Sequence, residues 1–252
     1  MSIRTIHQKL VEQMRIQLIS GPRNISTALM YSFAQRKDTE VVDEPLYAYY
    51  LDRTGFDHPG REEILKSQSI DAQKVISDVI FMSLSKEHYF IKNMSKHLED
   101  LDVGFCQKTK NVFLIRDPAR LITSFAKVVH EPTEQEIGLK ASWEIFQQVD
   151  TPDNPALVLN SDTVLANPAK VLTRFCEKID IPFDKNMLSW EPGPIIEDGV
   201  WAPYWYKSVH QSTGFSVRQL STEKVPDRLL PLLDEILPYY NLLNEKAITI
   251  ND

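Results

Sequence analysis

The sequence is short of cysteine, of basic charge and of long apolar runs. Its 252 residues include two cysteines, Cys106 and Cys176, which are too few and too far apart for a disulfide framework or a zinc knuckle. Both are expected to be reduced core residues. The formal net charge of −7 provides no basic field for nucleic acid or for an anionic membrane surface. An anionic small ligand is still compatible with this charge where a few basic residues converge.

No apolar stretch reaches the roughly 18 residues of a membrane span. The first residues, MSIRTIHQKLVEQMRIQ, lack the continuous apolar segment of a secretory signal. We therefore expect a cytoplasmic protein without a membrane or nucleic-acid partner, and the sequence predicts nothing about its oligomeric state. It contains no repeat, low-complexity tract or clear linker, so one domain over residues 1–252 is the simplest prediction.

Short β-rich runs alternate with segments of helical spacing along the chain. The predicted strands cover residues 16–20, 40–45, 88–94, 110–117 and 155–162. The predicted helices cover residues 25–33, 71–85, 118–129, 133–149, 168–179 and 226–243, and residues 47–60 are predicted to form a loop. This alternation predicts an α/β fold with a mostly parallel sheet flanked by helices. Ligands of such sheets bind beyond the carboxyl ends of the strands.

The first strand-to-helix turn, GPRNIST from Gly21 to Thr27, has the composition of an anion site. A helix N-terminus offers unpaired N–H groups and the positive end of a dipole. Ser26 and Thr27 add hydroxyl donors, and Arg23 adds a forked cation suited to a tetrahedral anion. This turn is suited to a phosphate or sulfate group. The alternative is a helix capped by Asn24 or Ser26 beside a solvated arginine.

The lysine of the Walker A nucleotide-binding loop is missing from this turn. That motif reads G-x-x-x-x-G-K-[ST], whereas Ser26 stands at the position of the second glycine and no Lys-Ser pair follows. An ordinary ATPase or kinase is therefore disfavoured.

A second group of polar residues follows the fourth predicted strand. Arg116 closes that strand in FLIRDPARLITSF, so it is expected at the same sheet edge as the first turn. Arg120 and Ser124 lie four residues apart on the next helix and share a face. These three residues are candidates for a second phosphate site. The alternative is an Arg116–Asp117 surface pair, with Ser124 bonded within its helix. Lys92, near the end of the third strand, is either a further cation of this site or an exposed lysine.

These two motifs resemble the cofactor site of the sulfotransferases that use 3′-phosphoadenosine 5′-phosphosulfate (PAPS). In that family the first turn reads approximately Pro-Lys/Arg-Ser-Gly-Thr-Thr, and here it reads PRNIST over residues 22–27. The family's 3′-phosphate site is an arginine at a strand end and a serine eight residues later, which is the spacing of Arg116 and Ser124. The resemblance covers residues 15–130 and implies a P-loop NTPase-like sulfotransferase fold. The arginine in the turn is similar to the carbohydrate and tyrosylprotein branches.

The chain departs from the family's pattern in three places. Ile25 stands where the family often has glycine, a difference that bears on the backbone path of the turn. Lys92 is followed by Asn93 and Met94, so the histidine found two residues after this lysine in the cytosolic branch is absent. The C-terminal Arg-Lys-Gly element of that branch is also absent. Weak candidates for a related role are His210, Ser212, Thr213 and Arg218.

Without that histidine, the resemblance implies a carboxylate base, as in several carbohydrate and tyrosyl branches. Glu44 ends the second predicted strand, on the active edge. Strand alternation points Asp43 and Glu44 to opposite faces, which predicts that only one of them faces the cleft, and we favour Glu44. The alternative is a structural acid paired with Arg23 or Lys92. Weaker candidates for the base are His97 and His130.

The resemblance implies in-line transfer of a sulfuryl group from PAPS to an acceptor hydroxyl. The residues implied to bind the 5′-phosphosulfate are Pro22, Arg23, Asn24, Ile25, Ser26 and Thr27. Arg116 and Ser124 would hold the 3′-phosphate, and Glu44 would take the acceptor's proton. Arg23 and Lys92 would stabilise the leaving phosphate.

Other functions and the acceptor stay open. The acceptor is expected to be a small molecule or a carbohydrate, and the aromatic segments 47–52 and 201–210 either line its pocket or pack in the core. A P-loop-like kinase is one alternative, with Asp43 or Asp162 available for Mg²⁺, and a non-catalytic nucleotide-binding domain is another. No metal site is predicted, because HEPTE (130–134) lacks the second histidine of a zinc helix.

Overall fold

The computed structural model describes residues 13–215 and 224–249. They build one five-stranded sheet, in the order β2-β3-β1-β4-β5, in which every neighbouring pair is parallel. The strands are β1 (Met14–Ser20), β2 (Thr39–Asp43), β3 (His88–Met94), β4 (Lys110–Ile115) and β5 (Leu157–Asn160). The register pairs Ser20 with Met94 and Asp43 with Lys92. The strand ends predicted to carry the site therefore share one edge, the carboxyl edge.

Helices connect these strands and cover both faces of the sheet, which confirms the predicted fold class. The longer helices are α1 (Ser26–Ala34), α2 (Tyr47–Thr54), α3 (Arg61–Ser67), α6 (Pro118–Phe125), α8 (Leu139–Val149), α9 (Ser161–Ala166), α10 (Pro168–Lys178) and α13 (Leu230–Asn244). The four-residue helices are α4 (Ala72–Val75), α5 (Ser95–Leu98), α7 (Glu134–Ile137), α11 (Ala202–Trp205) and α12 (Lys207–His210).

Residues 47–60, predicted to form a loop, contain a helix instead. Tyr47, Tyr50 and Leu51 are buried at the three- and four-residue spacing of a helix face, and their burial outweighs the modest helix propensity of tyrosine. The helix ends at Gly55, whose φ of 69° is the left-handed conformation typical of a helix stop. The turn residues predicted at 55–60 thus follow α2, and two tyrosine rings of α2 lie against the ring of His97.

Two predicted helices are interrupted. The segment 71–85 begins as predicted, with Asp71 accepting from Gln73 N and Lys74 N, but α4 passes into a π-helical turn at Ile76–Ile80 and ends there. The segment 133–149 breaks at Gly138, with φ 72°. A side chain at Gly138 would collide with Ser95 Oγ, so the break lets this connection pass close to the end of β3.

The core consists of two apolar layers, one on each face of the sheet. Helices α1, α2 and α10 contribute to one layer, and α6, α8 and α13 to the other. Cys106 and Cys176 are buried free thiols, as predicted. No helix within 13–215 and 224–249 has both the length and the hydropathy to cross a membrane. The single domain over residues 1–252 stays a prediction, since its ends and residues 216–223, which include Arg218, lie outside the described ranges.

Candidate active site

Within the described ranges, no side chain caps the start of α1 after the β1–α1 turn. Ile25 occupies the N-cap position and makes no capping hydrogen bond. Asn24, one of the two predicted caps, instead donates from Nδ2 to the Leu114 carbonyl at 3.1 Å. The capped-helix alternative is therefore wrong. The first N–H groups of α1 face the carboxyl edge, which is the arrangement that binds anions.

Ile25 adopts the backbone conformation that the family's glycine would suit. Its φ and ψ are 61° and 17°, in the left-handed region, and Arg23 has a φ of 62°. For L-residues this region costs about 1–2 kcal/mol, and a β-branched side chain suits it least. The turn therefore holds Ile25 in a strained backbone conformation. Gly21 also cannot be enlarged, because a side chain there would collide with the Ile137 carbonyl.

The two arginine motifs, far apart in sequence, interlock at this edge. Arg116 Nη1 donates to the Arg23 carbonyl at 2.8 Å, and Arg23 Nε donates to Ser124 Oγ at 3.2 Å. Arg116 Nε is buried with no partner in the described part of the chain, and burial lowers the pKa of Arg116. Neither the Arg116–Asp117 surface pair nor an intrahelical bond from Ser124 occurs in the described ranges. Asp117 caps α6 instead, accepting from Arg120 N.

Arg120 turns to a carboxylate on α9. Its Nη2 lies 2.8 Å from Asp162 Oδ2, so this arginine has a protein partner where the sequence suggested a phosphate. The same contact engages Asp162, one of the two aspartates that the kinase alternative would need for Mg²⁺.

Lys92 lies at the centre of a buried polar cluster at the ends of β2 and β3. Its ammonium contacts Asp43 Oδ1 at 2.8 Å, Glu44 Oε1 at 2.5 Å and the Tyr206 hydroxyl at 2.8 Å. Lys92 is 1% exposed and Glu44 is 5% exposed. The predicted alternative of Glu44 paired with Lys92 is thus present. Such a pair is compatible with a structural role and with a held catalytic carboxylate.

Both acidic residues reach Lys92, so the prediction that strand alternation points Asp43 and Glu44 to opposite faces is wrong. Strand alternation ends at Asp43, and Glu44 has a φ of 40°. The Glu44 N–H donates to the Lys92 carbonyl at 2.8 Å, and the Glu44 carbonyl accepts from Gln68 Nε2 at 3.0 Å. These bonds hold a backbone that L-residues rarely adopt, a form of strain that is common at functional sites.

Three of the four carboxylate oxygens in the cluster accept hydrogen bonds from the described residues. The Tyr206 hydroxyl donates to Asp43 Oδ2 at 2.7 Å and accepts from Lys92 and from Trp201 Nε1, the latter at 3.0 Å. Glu44 Oε1 is held by Lys92. Glu44 Oε2 accepts no hydrogen bond from the described residues and lies 3.7 Å from His97 Nδ1. One oxygen is therefore anchored, while the other can receive a proton.

Burial and charge set the protonation of this cluster. Burial and the neighbouring Asp43 raise the pKa of Glu44, and the attraction of Lys92 opposes them. The two carboxylates keep the pKa of Lys92 above its ordinary value despite burial. Burial holds the pKa of His97 well below its ordinary value, so the ring is neutral. The cluster holds one cation and two carboxylates, so repulsion between the carboxylates adds to burial in favouring a proton on Glu44.

The sequence did not identify Tyr206 and Lys96 as members of the site. Tyr206 stands in the aromatic segment 201–210, which the sequence left open between pocket and core, and it packs in the core against Lys92. Lys96 follows β3 on α5, beside His97, and carries no motif spacing. His210 bonds to Asp198 at 2.9 Å rather than reaching the arginine motifs.

A group of possible metal ligands lies at the opposite, amino edge of the sheet. Asp38, Glu87 and His88 offer ligand atoms within 4.8 Å of one another. Both oxygens of Asp38 already accept from Arg36, at 3.0 and 2.7 Å. Asp38 is therefore held in an ion pair with Arg36, and the group lies apart from the candidate site.

Comparisons with known proteins bear on the family of this chain. A family model described as a sulfotransferase domain matches residues 14–247. The chain is 45% identical, over 225 residues, to the Branched-chain-amino-acid aminotransferase-like protein 1 of Arabidopsis thaliana. That match covers 89% of this chain and 40% of the relative, so the chain spans less than half the length of that protein.

Two solved structures share the fold. The sulfotransferase domain of the Synechococcus PCC 7002 olefin synthase has a TM-score of 0.53 at 16% identity, covering 90% of this chain and 95% of that one. The sulfotransferase from Alicyclobacillus acidocaldarius has a TM-score of 0.50 at 12% identity, covering 92% and 95%. Identities this low show the fold alone. The family match extends over nearly all the described residues, and on that ground the chain belongs to the sulfotransferase domain family.

Proposed function

We propose that this chain transfers the sulfuryl group of PAPS to an acceptor hydroxyl, with Glu44 as the general base. The observation that carries the proposal is the meeting of the Arg23 and Arg116 motifs at the sheet edge that also holds Glu44. Two anion-binding motifs side by side fit a donor with two separated anionic groups. A carboxylate with one free oxygen fits the proton transfer that a hydroxyl acceptor requires.

The donor would occupy the carboxyl edge along these two motifs. Residues 22–27 and the uncapped start of α1 would hold the 5′-phosphosulfate. Arg116 and Ser124 would hold the 3′-phosphate, and the buried, unpartnered Nε of Arg116 supports this assignment because a buried donor without an acceptor costs free energy. When bound, PAPS supplies the activated sulfuryl group.

Lys92, Glu44 and Arg23 have separate roles in the reaction. Lys92 holds Glu44 Oε1, so that Oε2 is presented to the acceptor hydroxyl and removes its proton. The acceptor oxygen then forms its bond to sulfur as the bond to the bridging phosphate oxygen breaks. Arg23 stabilises the charge left on that phosphate oxygen.

The ion pairs at the site favour this function over the kinase alternative. Asp43 is bound by Lys92 and Tyr206, and Asp162 is bound by Arg120. Both oxygens of Asp43 are therefore bonded, and the guanidinium beside Asp162 Oδ2 competes with Mg²⁺ for the charge of that carboxylate. We further propose a small-molecule or carbohydrate acceptor, a place near the carbohydrate and tyrosylprotein branches, and a cytoplasmic location.

Arg116→Ala is expected to weaken binding of 3′-phosphoadenosine 5′-phosphate (PAP) by about 10- to 100-fold, the loss typical of a charge-assisted hydrogen bond. Binding of adenosine 5′-phosphate, which lacks the 3′-phosphate, should change by less than about threefold. Calorimetric titration of both nucleotides without Mg²⁺ measures this. Arg120→Ala is the matched control, because Arg120 lies one turn further along and faces Asp162. Equal losses for both nucleotides in Arg116→Ala would reject the 3′-phosphate site.

A further inference from the structure

Lys92 has no N–H group left for the donor. An ammonium carries three N–H donors, and those of Lys92 have three acceptors within 2.8 Å on Asp43, Glu44 and Tyr206. Its side chain is enclosed, with 1% exposure. Lys92 therefore acts on the carboxylates, and a cation for the transferring sulfuryl group must come from elsewhere.

Lys96 is a largely buried cation for which the described residues provide no hydrogen-bond acceptor. It is 8% exposed, and its Nζ lies 5.2 Å from the centre of the Tyr50 ring. Throughout the described part of the chain, no oxygen accepts from this ammonium. Burial lowers its pKa, and the charges of Glu44 and Glu136 raise it. A largely buried ammonium without an acceptor in the described part of the protein is costly, so Lys96 is suited to an anion that arrives with the substrate.

The position of α5 places Lys96 between the loop and the base. Ser20 and Met94 are paired at the ends of β1 and β3, so the loop at Gly21 and helix α5 begin side by side. The segment Ile137–Gly138 touches both, since side chains at Gly21 and at Gly138 would collide with Ile137 and Ser95, respectively. His97, the next residue on α5, has its Nδ1 3.7 Å from Glu44 Oε2, so α5 lies beside the proposed base.

We propose that Lys96 is a catalytic residue that donates a hydrogen bond to a sulfuryl oxygen of the donor, and that Lys92 is a positioning residue for Glu44. This assignment rests on the proposed function. The acceptor oxygen bonds to sulfur, the bond from sulfur to the bridging phosphate oxygen breaks, and that oxygen keeps the electron pair. The acceptor's proton goes to Glu44 Oε2. Lys96 transfers no proton and holds the sulfuryl group in line between the acceptor and Arg23.

The test compares two ligands that differ only in the sulfuryl group. Lys96→Met should weaken PAPS binding by at least about tenfold, the loss of one charge-assisted hydrogen bond. Its affinity for PAP, which lacks the sulfuryl group, should stay within about twofold of wild type, and PAP binding also reports that the variant is folded. Lys96→Gln is measured in parallel as a second variant. Lys110→Met, at the amino edge of β4, is the matched control and should leave both affinities unchanged.

The outcomes separate this assignment from the proposed function. Equal losses for PAPS and PAP, or unchanged binding of both by both Lys96 variants, would overturn the role of Lys96 alone. A raised KM for the acceptor with intact PAPS affinity would also overturn it, and would place Lys96 against the acceptor instead. A wild-type chain that binds neither nucleotide would overturn the proposed function, and this assignment with it.

Discussion

Glu44→Gln is expected to lower kcat by about 10²–10⁴-fold, the usual contribution of a general base, and to leave PAP affinity within about twofold. The amide keeps the shape of the side chain and can still accept from Lys92 through its oxygen. It cannot take the acceptor's proton at the second position. Single-turnover rates with PAPS and calorimetry with PAP measure the two effects.

Glu40→Gln is the matched control for this experiment. Glu40 is on the same strand, but its Oε1 accepts from Ser85 N at 2.7 Å, near the amino edge. Its replacement should leave kcat within about twofold. A Glu44→Gln variant that turns over at the wild-type rate would show that another group is the base, and the neutral His97 beside Glu44 would be the next residue to replace.

The pH dependence of kcat follows from the raised pKa of Glu44. A base must be ionised to accept a proton, so turnover falls as the pH drops through the pKa of the folded protein. Because burial and Asp43 place this pKa above the ordinary value of 4.5, the acidic limb of the profile should lie above pH 4.5. The Glu44→Gln variant should lack that limb. A wild-type limb at or below pH 4.5 would contradict the geometry of a buried, crowded carboxylate.

Lys92→Met is expected to lower the free energy of unfolding by about 3–5 kcal/mol, the cost of leaving a buried charge without its partner. Methionine fills a similar volume but leaves Asp43 and Glu44 side by side without a cation. Equilibrium urea unfolding measures the loss. If the fold survives, activity should fall as well, because Lys92 holds Glu44 Oε1.

A double variant separates lost charge from lost packing. Asp43→Asn added to Lys92→Met removes one of the two unpaired carboxylates, so the double variant should be more stable than the sum of the single losses predicts. Additive losses would show that Lys92 and Asp43 do not interact in the folded protein. A Lys92→Met loss below about 1 kcal/mol would place the pair in the range of exposed ion pairs and contradict its burial.

The arginine motifs could be located from the sequence because each is recognised from a short, continuous segment. A strand followed by a helix identifies a turn at the carboxyl edge, so Arg23 and Arg116 could be assigned to one edge before any contact was known. Their interlock in the structure follows from that shared edge. Arg120 could not be separated from Arg116 in this way, because its partner Asp162 comes from a different strand-to-helix unit.

The carboxylate cluster was harder to predict from the sequence. The left-handed backbone at Glu44 has no signature, since glutamate is not a residue that marks such a conformation. The alternation rule therefore separated Asp43 from Glu44, although both bind Lys92. Tyr206 joins the cluster from 163 residues beyond Asp43, a contact that only tertiary packing determines. The same is true of Lys96, because only the folded structure shows that the described residues provide no hydrogen-bond acceptor for its ammonium.

Transfer of labelled sulfur tests the central claim most directly. The wild-type chain is incubated without Mg²⁺ with sulfur-labelled PAPS and a panel of small-molecule and carbohydrate hydroxyl acceptors, and in parallel with γ-phosphate-labelled ATP. We expect label to move from PAPS to an acceptor with release of an equal amount of PAP, and none to move from ATP. Glu44→Gln should lower the rate of transfer by about 10²–10⁴-fold. Transfer of phosphate from ATP, or no transfer of sulfur by a chain that binds PAPS, would contradict the central claim.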